Sequence, residues 1–177
     1  MAVAAGAVPS SRSVAGGAVW LEILPVFLSA DGILALRPAG SGASWRAPYD
    51  GGGDLRQVVA RRLASAGLEP VAIHSTSWRQ ERGAVVLTHL AVLRPPAGEV
   101  EGLDPWRVGP RDLARGTALE PPAQIDLEHV VAHALRHLSW LAAEDRAVRG
   151  ALDGAWRAAL RAHRAEPFRL LEGAAAT

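Results

Sequence analysis

The chain of 177 residues carries 19 basic and 18 acidic side chains, and its formal net charge of +1 argues against nucleic-acid binding by bulk electrostatic attraction. It contains no cysteine, which excludes disulfides and thiol chemistry, and no apolar run approaches the length of a membrane span. A hydrophobic content of 49% is enough for the core of one domain. We therefore expect a cytoplasmic protein with no nucleic-acid and no membrane partner. Arginine without lysine, together with many alanines, is typical of a high-GC bacterial genome.

The first part of the chain predicts a tail followed by a β-hairpin. Residues 1–18 are small and apolar, with Gly, Pro and Ser, and we expect a disordered tail. The run from Val19 to Leu28 is apolar on both faces, which predicts a buried strand, although Pro25 favours an edge position or a bulge. Ser29 to Gly32 is a turn signal, and Ile33 to Arg37 predicts the returning strand.

The stretch from Ser44 to Glu69 combines a tryptophan strand, a glycine turn and a helix. Asp54 is placed to cap the helix N-terminus, and Gly67 supplies the left-handed residue just after its end. Arg62 falls within the apolar arc of the helix, so it must extend to water or point into a site. We expect the apolar face to pack on the strands on either side. That face consists of Leu55, Val58, Val59, Leu63 and Ala66.

The segment after this helix predicts a second β-hairpin. Its strands run from Val71 to Arg79 and from Ala84 to Arg94, with a four-residue loop between them. If the two ends of that loop pair, His74 lies opposite His89 on one face of the sheet. Two facing histidines could bind a metal or a ligand or sense pH, and the alternative is a half-buried polar pair with local hydrogen bonds.

The C-terminal third predicts helices after a loop that prolines punctuate. The clearest helix runs from Asp126, its N-cap, to about Arg149. His129, His133 and His137 recur every four residues on one of its faces, which is metal-ligand spacing. One helix normally offers two such ligands to a single ion, so the alternatives are a solvated stripe or a partner-facing stripe.

Eight residues between Trp45 and Leu68 form a spaced pattern. The pattern Trp-x-x-Pro-x-x-Gly-Gly is followed by a helix that ends Arg-x-Leu-x-x-x-Gly-Leu. The residues at the named positions are Trp45, Pro48, Gly51, Gly52, Arg61, Leu63, Gly67 and Leu68. This pattern resembles the core of a Nudix hydrolase domain, over roughly residues 19 to 142. The resemblance implies an α/β (α+β) fold, with a Nudix-like mixed β-sheet sandwiched by helices and a C-terminal helical extension.

The resemblance divides the chain into three parts. Residues 1–18 are the tail, residues 19–150 the Nudix-like domain, and residues 151–177 a C-terminal helix and tail. Within the domain, the short segment from Trp106 to Val108 resembles the last strand of a Nudix sheet. The C-terminal helix is expected to turn Leu152, Trp156, Ala159 and Leu160 inward.

The matching helix lacks the acids that the family's metal site requires. In the family, helix glutamates bind the divalent metals that bridge the diphosphate. Aligned on either Gly67 or Arg61, the equivalent positions here hold no acid. Mg²⁺ needs oxygen ligands, so we expect no cofactor and no standard hydrolase activity. If the chain is nevertheless an active hydrolase that uses Mg²⁺ or Mn²⁺, the candidate catalytic acids are Asp50, Asp54 and Glu69.

A small-molecule or nucleotide-like ligand is the partner that the resemblance implies. The glycines before the helix could cradle a phosphate, although Asp54 competes for the same N–H groups. Tryptophans and arginines on two strands could form an aromatic and basic wall, and the alternative places the tryptophans in the core. The candidate ligand-binding residues are Trp45, Arg46, Gly52, Gly53, His74, Trp78, Arg79 and His89.

Three functions remain open on the sequence, and fold analogy alone does not decide among them. The favoured hypothesis is a Nudix-like domain without metal-dependent diphosphohydrolase activity, which binds a nucleotide-like ligand or a protein partner. The second is an active Nudix-type hydrolase of a nucleoside diphosphate-linked compound that uses non-standard acids. The third is a structural or assembly module, with a homodimer as its simplest form, built on the histidine stripe and the C-terminal helix.

Overall fold

The computed structural model describes residues 18–39, 45–98, 101–109 and 125–163. The tail predicted for residues 1–18 falls outside this part of the chain except for its last residue, and so does everything after His163. In chain order the elements are β1 (Val19–Ser29), β2 (Gly32–Pro38), β3 (Trp45–Tyr49), α1 (Leu55–Ala64), β4 (Pro70–Glu81), β5 (Ala84–Leu93), β6 (Leu103–Arg107), α2 (Leu127–Glu144), α3 (Arg146–Ala151), α4 (Gly154–Leu160) and a short 3-10 turn (Arg161–His163).

The strands form one mixed sheet with β1 at its centre. The order is β4-β5-β1-β2-β6, and β3 pairs with β1 beside β2. β1 runs parallel to β5, whereas its pairings with β2 and β3 are antiparallel. Helix α1 covers one face of the sheet and α2 the other, which confirms the predicted mixed sheet between helices. β6 contains Trp106 and is the predicted last strand of the sheet. It pairs with β2.

Pro25 lies in the central strand, so the expectation of an edge position or a bulge was wrong. β1 pairs with β3 through Ile23 and with β2 from Val26 onward. Leu24 and Pro25 therefore fall in the interval where β1 changes partner on that side. Because proline has no N–H to donate to a ladder, this interval tolerates it in an otherwise central strand.

Two apolar clusters fill the two faces of the sheet. The first lies between the sheet and α2, and it takes in Leu152, Trp156 and Leu160 from the C-terminal segment, as predicted. The second lies under α1 and contains Ile23, Phe27, Leu36, Val59, Leu63, Leu68, Ala91 and Leu93. Burial of the side chains in each cluster removes apolar surface from water, and this holds the helices against the sheet.

The local signals around α1 are confirmed. The Asp54 side chain accepts a hydrogen bond from the Arg56 N–H at 2.9 Å and so caps the helix. Gly67 has a φ of +70°, in the left-handed region that ends the helical segment. Val59 and Leu63 are completely buried, whereas Arg62 is exposed and extends to water.

The hairpin between β4 and β5 has a different register from the predicted one. Glu81 pairs with Ala84 across a two-residue turn, rather than residues 80–83 forming a loop. Arg82 and Gly83 have φ values of +49° and +81°, the left-handed pair that two-residue hairpin turns favour. An arginine seldom adopts that conformation, which is why its position in the turn was not predicted.

A β-bulge in β4 then changes the faces on which its residues lie. The pairing shifts between Ser75 and Ser77, so His74 lies opposite Leu90 while His89 lies opposite Ser75. The expected facing pair of His74 and His89 is therefore wrong. Leu90 belongs to the cluster under α2, whereas His89 pairs with Ile23 of the cluster under α1.

The single helix predicted to reach Arg149 is two helices. α2 ends at Glu144, and Asp145 has an extended backbone between α2 and α3. The Asp145 carboxylate accepts hydrogen bonds from the N–H groups of Ala147 and Val148 at 2.7 and 3.1 Å, so it caps α3. Asp126 caps α2 as predicted. None of the helices in the described residues is long and apolar enough to cross a membrane.

Truncating Leu63 tests whether α1 is held by its buried face. Leu63→Ala should lower the free energy of unfolding by about 2–5 kcal/mol, because it removes methyl groups and leaves a cavity. Arg62→Ala is the control next to it, and the change there should stay within about 0.5 kcal/mol because this side chain is exposed. Urea denaturation followed by tryptophan fluorescence measures both, and equal losses would contradict the packing.

Candidate site: an arginine–glutamate cluster on the sheet

Four charged side chains from three strands meet on one face of the sheet. Glu22 lies on β1, Arg46 on β3, and Arg79 and Glu81 on β4, and we call them the arginine–glutamate cluster. Glu22 pairs with Thr88 and with Arg46 across the sheet, so these residues share a face. Two residues further along, the same face carries Leu24 and Leu90 of the cluster under α2. The charged residues therefore continue the face that α2 covers.

Glu22 is the buried anchor of this cluster, with 1% of its surface exposed. One carboxylate oxygen accepts from Nε and Nη2 of Arg46, both at 3.1 Å, and from Nη2 of Arg79 at 2.8 Å. The other accepts from Nη1 of Arg79 at 2.6 Å and from the Thr88 hydroxyl at 3.0 Å. A buried carboxylate is stable only with such compensation, so two guanidinium groups are what permit Glu22 in the central strand.

Glu81 closes the cluster from its solvent side. Its two oxygens accept from Nη1 and Nη2 of Arg46 at 2.9 and 2.8 Å, in the fork geometry that arginine and carboxylate favour. One of them also accepts from Nη2 of Arg79 at 3.4 Å. The side chain of Glu81 is 37% exposed, against 34% for Arg46 and 19% for Arg79. The guanidinium groups thus lie between a buried carboxylate and a water-accessible one.

The electrostatics follow from these contacts. The hydrogen bond to Glu81 raises the pKa of Arg46, with Glu22 adding to the effect and burial opposing it. The hydrogen bond from Arg46 lowers the pKa of Glu81. Both shifts favour the charged forms, so Arg46 and Glu81 form an ion pair at neutral pH.

The predicted aromatic and basic wall is divided between the two faces of the sheet. Arg46 and Arg79 lie together in the cluster, but their strand neighbours Trp45 and Trp78 lie on the face of α1 because side chains alternate. Trp45 packs against the apolar cluster there, while Trp78 is 69% exposed. Trp20, two residues before Glu22 and 36% exposed, lies on the same face as the two arginines.

The three candidate catalytic acids do not come together. Asp50 accepts from the N–H of Gly52 at 2.9 Å and so closes a turn, while Asp54 caps α1. Glu69 lies beyond the other end of α1, a helix about 15 Å long, and pairs with Arg94 at 2.9 Å. No three acidic or histidine side chains among the described residues form a group that could hold a metal ion.

Helix α1 also does not fit the divalent metal that a Nudix hydrolase binds. Its sequence contains Arg56, Arg61 and Arg62 and no acid, and all three arginines are exposed. The glycine loop before it is exposed as well, with its Gly52 N–H bound to Asp50 and the Gly53 carbonyl accepting from the Tyr49 hydroxyl at 3.0 Å. The charged side chains on this helix are hydrogen-bond donors rather than oxygen ligands, so they suit an anion better than a divalent cation.

The histidines are distributed over three environments. His129 lies at the first turn of α2, where its Nδ1 accepts from the Asp126 N–H, so it belongs to the helix cap. His137 contacts His74 of β4 edge-on at 4.9 Å between ring centroids and stacks on Trp140 at 5.8 Å. His133, one turn earlier, is exposed. The structure thus splits the stripe and brings one of its members to His74.

His74 and His89 are each partly deprived of hydrogen bonds. The Nε2 of His74 and the Nδ1 of His89 are buried without a partner. Burial lowers the pKa of His74, and the nearby His137 and His89 lower it further. Burial also lowers the pKa of His89. Both rings are therefore neutral at pH 7.

A cavity of about 570 Å³ lies on the other face, beyond the predicted site residues. Phe27, Leu36 and Leu103 supply apolar walls, and Glu101 and Asp104 supply acids at its rim. None of the residues predicted for ligand binding lines it. Its acidic rim makes it a poor match for a phosphate, whereas the arginine–glutamate cluster has the donors for one.

Sequence reasoning found the two arginines of the cluster and placed Glu81 among the acids in or beside the cleft, but it missed Glu22, Thr88 and Trp20. A signal for Glu22 was present, since it is the one charged residue in the apolar run from Val19 to Leu28. Charged side chains are almost never buried unless they are paired, so such a residue requires a cationic partner. The predicted loop of residues 80–83 contained Glu81, so its position in the paired strand beside the two arginines was not predicted.

Comparison with known proteins shows the fold. No protein-family model and no curated protein matches the chain. Among solved structures, it is similar to Shewanella oneidensis NrtR complexed with a 27mer DNA, with 16% identity and a TM-score of 0.50, over 70% of this chain and 63% of that one. NrtR in a second crystal structure gives 15% identity and a TM-score of 0.47, over 71% and 65%.

The NUDIX domain of NrtR complexed with ADP ribose gives 14% identity and a TM-score of 0.35, over 55% of this chain and 77% of that domain. This chain spans less than two thirds of the length of the NrtR chains that it matches. The fold is Nudix-like, as the pattern from Trp45 to Leu68 predicts.

Removing the charge of Glu22 tests the anchor of the cluster. Glu22→Gln should lower the free energy of unfolding by about 3 kcal/mol, because it leaves two partly buried arginines with too little negative charge. Glu69→Gln removes a carboxylate from an exposed arginine pair and should cost less than about 1 kcal/mol. Chemical denaturation at pH 7 gives both values. An unchanged free energy of unfolding in Glu22→Gln would show that the carboxylate is dispensable for stability.

The stability of the protein should fall in mild acid, partly through His74. Its pKa is lower in the folded protein than the ordinary value of about 6.5, so the unfolded chain binds more protons as the pH falls below that value. His137, His89 and Arg56 favour the neutral ring and Asp145 opposes them. His74→Asn should therefore be less stable than wild type at pH 8 and should lose or reverse that disadvantage at pH 5. A stability difference that stays constant between these pH values would contradict the assignment.

Proposed function

We propose that this chain is a Nudix-like domain that binds a nucleotide-like, phosphate-bearing ligand without hydrolysing it by the family's metal-dependent route. The observation that carries the proposal is the replacement of carboxylates by arginines on α1, the helix that holds the metal ligands in Nudix hydrolases. The three acids nearest to this helix support it, because each is already engaged in a turn, a cap or an ion pair.

The ligand class follows from the chemistry of the arginine–glutamate cluster. Arg46 and Arg79 converge on one face of the sheet and are partly exposed. Arginine binds phosphate oxygens through its planar fork of donors, so two converging guanidinium groups suit a phosphate or diphosphate. Trp20 on the same face supplies an aromatic surface for a base. The cytoplasm, where nucleotides are abundant, is the compartment we propose.

Two possible partners are nucleic acid and a second copy of the chain. NrtR was crystallised with a 27mer DNA, so that neighbour gives no support to the expectation of no nucleic-acid partner, which stays a prediction from the net charge. The homodimer also stays a prediction. Sedimentation of the purified protein with and without duplex DNA addresses both.

A nucleotide panel tests the proposed function. Nucleoside di- and triphosphates, dinucleoside polyphosphates, nucleotide sugars and ADP-ribose are incubated with the protein and Mg²⁺ or Mn²⁺. We expect no phosphate release, and we expect at least one compound to raise the melting temperature by about 5–10 °C at a hundredfold excess over its Kd. Arg46→Gln should lose this shift, whereas Arg94→Gln, at an exposed ion pair outside the cluster, should keep it.

Metal-dependent turnover would contradict the proposal and favour the hydrolase alternative. Asp50→Asn and Asp54→Asn would then decide whether these acids serve the reaction. A protein that neither hydrolyses nor binds any member of the panel would favour the assembly module instead.

A further inference from the structure

We propose that Glu81 is an internal substitute for the ligand's anion, so that a phosphate group binds by displacing its carboxylate from Arg46 and Arg79. This inference rests on the proposed function, since it assigns the place where the phosphate of the nucleotide-like ligand binds. It adds a regulatory feature to that site, because the chain supplies its own competitor.

The position of the Glu81 carboxylate is the position that a phosphate would take. Its two oxygens lie 2.9 and 2.8 Å from the two terminal nitrogens of Arg46, and one oxygen also reaches Arg79 at 3.4 Å. Two phosphate oxygens present the same pair of acceptors to an arginine fork. A phosphate in this place would keep every hydrogen bond that Glu81 receives from these two side chains.

The two glutamates of the cluster differ in how readily they can leave. Glu22 is buried in the central strand, and it also accepts the hydroxyl of Thr88. Glu81 is the last paired residue before the turn at Arg82, and more than a third of its side chain is exposed. Its carboxylate can move into water by a change of side-chain rotamer, whereas that of Glu22 cannot. Glu22 is therefore the fixed counter-charge and Glu81 the exchangeable one.

Displacement of Glu81 leaves a charge that attracts an anion. The cluster then holds two guanidinium groups against the single carboxylate of Glu22, a net charge of +1 in a partly buried setting. An exposed ion pair contributes little net stability, so the competition from Glu81 weakens a ligand without abolishing its binding. Phosphates with more negative charge should displace it more effectively than a carboxylate ligand.

Trp20 gives phosphates that carry a ring an additional contact. It precedes Glu22 by two residues on the same strand face, a rise of about 7 Å, and it is partly exposed. An aromatic base attached to a phosphate spans such a distance and can stack on the indole. The site then recognises a nucleoside diphosphate through its phosphate at the arginines and through its base at Trp20.

Calorimetric titration of the whole chain with inorganic pyrophosphate and with ADP tests this inference. Glu81→Gln keeps the shape of the side chain and removes its charge, and it should bind both anions about five- to tenfold more tightly than wild type. Glu69→Gln has the same change of net charge at another arginine pair and should bind as wild type does. Melting curves at pH 7 confirm that each variant is folded.

Two further variants locate the effect. Adding Arg46→Gln to Glu81→Gln should remove the gain for both anions. Trp20→Ala should weaken ADP severalfold and leave pyrophosphate unchanged. Unchanged or weaker pyrophosphate binding in Glu81→Gln would overturn the inference. So would an equal gain in Glu69→Gln, or a gain that survives the loss of Arg46.

The outcomes separate this inference from the proposed function. If nucleotides bind to wild type with the same affinity as to Glu81→Gln, the function stands and the role of Glu81 does not. If Glu81→Gln gains pyrophosphate while no nucleotide binds to any variant, the anion site stands and the nucleotide function does not.

Discussion

The buried carboxylate of Glu22 constrains the whole of the candidate site. It lies in β1, the central strand, where an ionised group survives only if cations reach it. Arg46 arrives from β3 on one side and Arg79 from β4 across β5 on the other. The three strands must therefore hold their register, because a slip of one residue would turn an arginine to the opposite face. One buried charge thus links the sheet pairing to the position of the two arginines.

The charged side chains that meet on the sheet lie away from α1, the helix of the pattern from Trp45 to Leu68. On α1 the acids are absent and Arg56, Arg61 and Arg62 extend into water. On the sheet, Glu22 accepts from both guanidinium groups, and the Thr88 hydroxyl accepts from Nη1 of Arg79 at 3.1 Å. Metal coordination needs oxygen ligands and phosphate binding needs donors, and the described residues offer the second set. A fold can persist while its chemistry changes, since the apolar faces that build the fold are separate from the residues that act on a ligand.

The bulge in β4 has a comparable influence on the histidines. Without the bulge, regular alternation along β4 would place the His74 side chain on the face of the sheet that α1 covers. With it, His74 meets His137 of α2, and the two rings make an edge contact where α2 packs on the sheet. The buried, unpartnered Nε2 makes protonation of His74 costly, so this environment favours the neutral form of the His74 ring. The neutral His74 at this contact therefore couples the packing of α2 to pH.

Signals within a few residues of each other in the sequence determined where the helices begin and end. Asp54 and Asp126 cap helices because a carboxylate reaches backbone N–H groups within the same turn, and Gly67 ends α1 because its φ is positive. The apolar periodicity of α1 predicted that its face packs on the strands, and the resemblance carried by the spacing from Trp45 to Leu68 predicted the fold. Helix and strand positions of this kind depend on neighbours a few residues away.

The tertiary structure decided the residues whose partners are distant in the chain. Arg46 and Arg79 were candidates from the sequence, but their meeting at Glu22 joins residues 24 and 57 positions apart. An edge position or a bulge was expected for Pro25 because the change of partner along β1 cannot be read from β1 alone. Arg82 in the turn and the bulge after Ser75 fixed the register, and with it the faces of His74, Trp78 and Glu81. Side chains alternate along a strand, so a change of register by one residue moves a side chain from one face of the sheet to the other. Only the pairing of distant strands sets that register.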